Sequence, residues 1–333
     1  MGNLLDIRHL TVVYHTEEDE VHALSDVSFS LQKGETLGLV GETGAGKTTT
    51  ALAIMGLLPK RVGEVQSGEI LFEGRDLLRC SDADMRAIRG ASISMIFQDP
   101  MTSLNPTLRI GDQIAESIRQ HQPDMKRADV ERRVDEILEM VGIPAARKRE
   151  YPHQFSGGMK QRVVIAIALA LEPQLLIADE PTTALDVTIQ AQVLQMMGDL
   201  QRQLGTSTIL ITHDLGVVAG IADRVAVMYA GKVVETGTTK EIFYEHRHPY
   251  TEALLRSLPS TDQGKREPLM SIPGTPPDLL CPPKGCGFAA RCRHCMQICK
   301  EEQPPEFELN AGHKASCWLL HPDCPSAEER GAK

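Results

Sequence analysis

The sequence predicts an α/β fold built on a largely parallel sheet with an all-helical insert, and three observations point to it. Short apolar runs alternate with segments of helical periodicity along most of the chain. The stretch Gly41-Glu42-Thr43-Gly44-Ala45-Gly46-Lys47-Thr48 fits the phosphate-binding pattern G-x-x-x-x-G-K-[ST] between a strand and a helix. Further on, the apolar run Leu175-Leu176-Ile177-Ala178 ends in two adjacent acids, Asp179 and Glu180.

Taken in order, Leu5 to Tyr14 and Val27 to Leu31 alternate weakly around an acidic turn, Glu17 to Glu20, as antiparallel strands do. Thr36 to Val40 is the buried strand entering the phosphate loop, and Thr49 to Leu58 is the helix leaving it, closed by Pro59. Ser67 to Gly74 and Ile93 to Gln98 are two further short strands. From Ile110 to about Met140 apolar residues recur every three or four positions, broken by a polar turn near Pro123. Ser156-Gly157-Gly158 opens a long helix, Met159 to Leu171, which Pro173 ends. Gln174 to Asp179 and Thr208 to Thr212 are buried strands flanking the amphipathic helix Ile189 to Leu204. Val225 to Met228 and Lys232 to Glu235 form a hairpin about Ala230-Gly231, and Thr238 with Glu241 forms a capping box. Beyond about Ser257, Pro, Gly and Cys rise and helical periodicity fades. The expected organisation is a nucleotide-binding unit over residues 1–256, with its helical subdomain at about 101–160, and a Cys-rich extension over 257–333.

Composition narrows the class. The chain has 333 residues, 41% hydrophobic and 24% charged, as a globular protein does. Its net charge of −10 argues against nucleic acid as a partner. The longest apolar run, Val163 to Leu171, is about half of what spans a bilayer. Met1 to Asp6 lacks the basic and apolar regions of a signal peptide, so a cytoplasmic location is expected.

The loop chemistry follows from residue type. Glycines let backbone N–H groups turn toward phosphate oxygens, and the helix that follows adds the positive end of its dipole. Lys47 supplies a point charge for the terminal phosphates, and the Thr48 hydroxyl is placed to ligate Mg²⁺. At the end of the apolar run, Asp179 suits the Mg²⁺ shell and Glu180 suits polarising a water. A nucleoside triphosphate, with Mg²⁺, is the expected ligand.

The segment Tyr151-Pro152-His153-Gln154-Phe155-Ser156-Gly157-Gly158-Met159-Lys160-Gln161-Arg162 resembles the signature motif of ABC-type ATPases, written LSGGQ. With Gln98, Asp179-Glu180, Ala184-Leu185-Asp186 and His213, the family's motifs occur in the family's order over about residues 5–245. Phe155 and Met159 stand where many members have Leu and Gln. The resemblance implies a P-loop NTPase cassette with an antiparallel β subdomain and a helical subdomain. It implies that Gly41, Gly44, Gly46, Lys47, Thr48 and Thr49 cradle the phosphates of ATP, and that Thr48, Gln98 and Asp179 face Mg²⁺. Glu180 is then the catalytic base and His213 the γ-phosphate contact. Tyr14 resembles the aromatic that stacks on adenine, although a Tyr near a strand end is as often simply packed. Ser156, Gly157 and Gly158 would serve the ATP of the other subunit, with Asp186 at the dimer seam.

Phe97-Gln98-Asp99-Pro100-Met101-Thr102-Ser103-Leu104-Asn105-Pro106 and His248-Pro249-Tyr250-Thr251 resemble segments of the oligopeptide, dipeptide and nickel importer ATPases. So does the tail, in which Cys286, Cys292, Cys299 and Cys317 match thiols that can hold a [4Fe–4S] cluster. Four thiolates suit such a cluster or tetrahedral zinc, and four free structural cysteines are the plain alternative. Cys281, Cys295 and Cys324 are additional thiols in or beside that set. The implied function is the ATP-hydrolysing motor of a peptide-class importer at the cytoplasmic face of the membrane. Its implied partners are two membrane permeases, a second, related but non-identical ATPase subunit, and an extracytoplasmic substrate-binding protein. Competing expectations are an ABC ATPase of DNA repair or the ribosome, an iron–sulfur redox sensor, and a nickel or glutathione importer.

Overall fold

The computed structural model describes residues 2–17, 19–183, 185–257 and 272–324; of Pro100 and Met101 only the backbone is described. Ala184, residues 258–271 and residues 325–333 lie outside the described residues, and with them parts of the expected extension. Among the described residues, twelve strands form two sheets. The first is antiparallel, in the order β2-β1-β4-β5, from β1 (Leu5–His15), β2 (Glu20–Leu31), β4 (Gly63–Phe72) and β5 (Arg75–Asp76). The second has the order β11-β12-β10-β9-β3-β8-β7-β6. Its parallel part comprises β3 (Thr36–Val40), β6 (Ile93–Ile96), β7 (Leu175–Asp179), β8 (Ser207–Thr212) and β9 (Arg224–Tyr229). Antiparallel β10 (Lys232–Thr238), β12 (His313–Ala315) and β11 (Phe307–Asn310) complete it.

Strand periodicity decides where each side chain is buried. Along β7, Leu175 and Ile177 enter one core, while Leu176 and Ala178 enter another on the opposite face. Both faces are covered, so β7 reads as a continuous apolar run. The first core joins the large sheet to the antiparallel sheet and encloses Ala51, Ala53 and Ile54 of the helix Lys47–Ile54. The phosphate-loop helix is therefore held between the two sheets.

The second core belongs to the helices Ile110–His121, Arg127–Met140 and Gly157–Leu169. Ile110, Ile114 and Ile118 face Val130, Val134, Ile137 and Leu138 within it, as their spacing predicts. The third core, with Val225, Val227, Tyr229, Tyr250 and Phe288, lies where the tail docks. The tail thus adds two strands to the main sheet, which its Pro- and Cys-rich composition does not announce. No helix among the described residues is long and apolar enough to cross a membrane.

Candidate functional site

The loop leaves β3 and enters the helix Lys47–Ile54 through a glycine N-cap, Gly46, at φ +100° with no side-chain cap. The first-turn N–H groups are thus left for an external acceptor. Gly41 (φ +153°) has no room for a side chain, since a Cβ there would meet the Met228 carbonyl oxygen at 2.1 Å. Lys47 is 6% exposed, and its Nζ donates to the carbonyls of Gly41 (2.7 Å) and Glu42 (3.0 Å). The ammonium thus lies folded into the concave side of the loop. Burial lowers its pKa, against the opposing pull of Glu180, Asp179 and Glu42.

β7 delivers Asp179 and Glu180 to this loop. Asp179 is 2% exposed, and its Oδ1 has no hydrogen-bond partner among the described residues. Burial pushes its carboxyl up; the Thr48 hydroxyl and Lys47 pull it back, while Glu180 adds to the rise. Glu180 leaves the strand with a left-handed φ of +46°, its amide still donating to the Ile211 carbonyl at 2.9 Å. Its carboxylate is the hub of a small network. Gln98 Nε2 donates to Oε2 (3.2 Å), the Thr183 hydroxyl donates to the same oxygen (2.9 Å), and His213 Nδ1 lies 3.0 Å from Oε1. Burial raises its pKa, but the bonds from His213, Thr183 and Gln98 outweigh that and hold it below the ordinary glutamate range.

The expected site residues divide into two groups. Gly41, Gly44, Gly46, Lys47, Thr48, Thr49, Gln98, Asp179, Glu180 and His213 surround one loop. Tyr14 joins them, half-buried on β1 with its hydroxyl donating to Thr49 Oγ1 at 3.4 Å. Ser156, Gly157, Gly158 and Asp186 stand elsewhere. Ser156 caps the helix Gly157–Leu169, and Gly158 abuts Ile189 of the helix Val187–Leu204. Asp186 caps that second helix, its Oδ1 accepting from the Ile189 amide at 3.0 Å. Sequence reasoning missed Thr183, whose place two residues after Pro181 gave no signal.

The tail requires a correction. Cys286, Cys292, Cys299 and Cys317 do not form the expected [4Fe–4S] site, nor a zinc site. Among the described residues no group of three or more His, Cys, Asp or Glu side chains is disposed to hold a metal ion. Burial pushes the Cys292 thiol up to about 11 and that of Cys317 to about 12. Cys286 is raised too, again chiefly by burial. These side chains pack as small apolar groups, Cys286 and Cys292 against the third core.

Comparison with known proteins shows the family. A family model described as "ABC transporter" matches residues 24–183, and one described as "Oligopeptide/dipeptide transporter, C-terminal region" matches residues 234–299. The oligopeptide transport ATP-binding protein OppD of Bacillus subtilis (strain 168) is 57% identical, over 98% of this chain and 91% of its own length. The dipeptide transport ATP-binding protein DppD of Lactococcus lactis subsp. cremoris is 55% identical, over 97% and 92%. Among solved structures, the ATP-binding cassette MJ0796, in a dimeric post-hydrolysis state bound to ADP and Pi, superposes with a TM-score of 0.63. It is 27% identical and covers 71% of this chain and 98% of its own. The cbiO1 protein of Clostridium perfringens gives 0.64 at 30% identity, over 74% and 92%. The chain is an ABC-type ATPase and belongs to the family of oligopeptide and dipeptide ABC transporter ATP-binding proteins.

Proposed function

We propose that this ATPase drives a peptide importer and that the loop Gly41–Thr48, with Thr49, holds the phosphates of its ATP. The observation that carries the reading is the convergence of Lys47, Asp179, Glu180, Gln98 and His213 on one glycine-rich loop. Lys47 is already turned into the loop, where three phosphate charges would replace its two carbonyl partners. Tyr14, beside Thr49, would stack on the adenine.

The oxygen donors fit Mg²⁺: the buried, unpartnered Oδ1 of Asp179 lies in the strand end beside Thr48, with Gln98 on the neighbouring carboxylate. Thr48, Gln98 and Asp179 would hold the ion, which when bound neutralises charge on the β- and γ-phosphates.

Glu180 is the base in this reading. Nothing raises its carboxyl above the ordinary glutamate range, so it is ionised at neutral pH and can accept a proton from the attacking water. The His213 side chain is 61% exposed and that of Glu180 13%, so the imidazole that holds the carboxylate remains accessible to a γ-phosphate. Ser156, Gly157 and Gly158 sit apart from the loop at the N-terminus of a 13-residue helix and would complete the ATP site of a second cassette, with Asp186 at the seam. The MJ0796 cassette is dimeric, which supports that arrangement. The partners in this reading are two membrane permeases, a second ATPase subunit and an extracytoplasmic substrate-binding protein. The chain would then work at the cytoplasmic membrane face, held there by the permeases, with the domain division at about residues 256–257.

Glu180→Gln tests the reading. It keeps shape and hydrogen bonding but removes the base, so ATP hydrolysis should fall by roughly 10²–10⁴-fold while ATP binding persists. Any partner ATPase subunit must be inactivated in the same assay. Wild-type turnover would remove Glu180 from the role.

A further inference from the structure

The phosphate loop is gripped from outside by the tail. Glu42, its second residue, is an anion in a loop that binds anions. Its carboxylate is held in a two-pronged pair by Arg291, from Nη1 to Oε2 (2.6 Å) and from Nη2 to Oε1 (3.0 Å). Arg291 is fully engaged otherwise. Nε donates to the Pro273 carbonyl (2.9 Å), Nη1 also to the Tyr229 hydroxyl (3.1 Å), and Nη2 also to the Ile272 carbonyl (3.3 Å). The side chain is 5% exposed and its guanidinium lies near the rings of Tyr229 and Phe288. The backbone of Glu42 is pinned as well, its amide donating to the Tyr250 hydroxyl at 2.9 Å and its carbonyl accepting from Lys47. Tyr229, Tyr250 and Phe288 pack on one another, with ring centroids 4.5–5.3 Å apart.

We propose that Arg291, with the aromatic cluster behind it, is a positioning residue that holds the Glu42 carboxylate away from the nucleotide phosphates and so couples ATP affinity to the docked tail. A planar guanidinium fits a carboxylate bidentately and fixes its direction. Without that partner Glu42 is an unpaired anion within one loop of the triphosphate, free to turn toward it and repel it. The tail, far along the chain, thus contributes to the first step of the ATPase cycle. The proposal rests on reading Gly41–Thr48 as the triphosphate loop.

The test measures binding of a fluorescent ATP analogue and steady-state ATP hydrolysis on the full chain. Arg291→Ala should raise the Kd and the KM for ATP on the order of ten- to a hundredfold, while kcat at saturating ATP changes by less than about threefold. Adding Glu42→Gln to Arg291→Ala should recover most of the lost affinity, because the unpaired anion is gone; a merely structural loss would not be rescued. Where Arg291→Ala does not fold, Arg291→Gln, which keeps part of the side chain and its hydrogen bonding but removes the charge, is read the same way with and without Glu42→Gln. Wild-type affinity in the Arg291 variants, or no rescue by Glu42→Gln, overturns the proposal. Lys47→Ala separates the two readings. If it leaves affinity intact, the triphosphate loop is misassigned; if it lowers affinity and the Arg291 variants do not, only the coupling fails.

Discussion

Glu180 stands where an extended strand gives way to a left-handed backbone, at φ +46° in a non-glycine residue. Successive strand residues point to opposite faces, so without that change Asp179 and Glu180 could not serve one site. The cost of such a conformation is on the order of 1–3 kcal/mol, and the hydrogen bonds from Gln98, Thr183 and His213 hold the residue there. At Gly41 the requirement runs the other way. Any Cβ would strike the Met228 carbonyl, which belongs to a buried strand and cannot yield. Gly41→Ala should therefore displace the loop and weaken ATP binding by roughly tenfold or more. Gly44→Ala should do less, because its Cβ would meet nothing within 4 Å, although its φ of +82° still carries strain. Equilibrium binding of a fluorescent ATP analogue to both variants checks the order; equal losses would show that φ, not the carbonyl collision, governs the loop. These motif residues were legible because spacing and residue type carry the chemistry. The pair of Glu42 and Arg291 was not, because 249 positions separate them and neither residue is unusual alone.

At the scale of elements, the signature helix Gly157–Leu169 and the helix Val187–Leu204 are matched at one glycine. A Cβ on Gly158 would lie 2.4 Å from Ile189 Cγ2, a branched methyl that has little freedom in a helix. Gly158→Ala should destabilise the chain by about 1–3 kcal/mol through overpacking. Urea unfolding midpoints measure this, and the double variant Gly158→Ala/Ile189→Ala should recover part of the loss. A single variant as stable as wild type would show that the two helices slide apart without cost. The long helices, the buried strands, the Thr238–Glu241 capping box and the hairpin at Ala230-Gly231 were all readable, since each has a period or a turn signal. The helices Asp82–Ile88, Leu215–Ile221 and Pro249–Arg256 were not, because eight residues or fewer hold barely two turns of pattern. The second strand begins at Glu20 rather than Val27, since pairing with β1 carries it through a segment with weak alternation. The strands β11 and β12 are short and gain their order only from the edge of β10.

For the whole molecule, the join between cassette and tail is the place where pH should act. His248 caps the helix Pro249–Arg256, its Nδ1 accepting from the Tyr250 amide at 3.0 Å, and it is 1% exposed. Glu235, also buried, accepts from the amides of Arg247 (2.6 Å) and His248 (3.0 Å), and His313 Nε2 from the tail lies 3.0 Å from it. Burial lowers the His248 pKa from 6.5 to about 4. The folded state therefore keeps this imidazole neutral where the unfolded chain would already bind a proton. Between those two values the unfolded state binds more protons, so stability rises with pH and falls as the solution is acidified from 6.5 toward 4. The expected loss over that window is roughly 2–4 kcal/mol. His248→Asn retains an acceptor suited to an N-cap and does not titrate, so its unfolding free energy should flatten between pH 6.5 and 4 relative to the wild type. Parallel profiles for the two proteins would place the acid sensitivity elsewhere. Because Tyr250 also holds the Glu42 amide, ATP affinity should hold along most of this limb and decline only near pH 4, where the folded chain itself protonates His248.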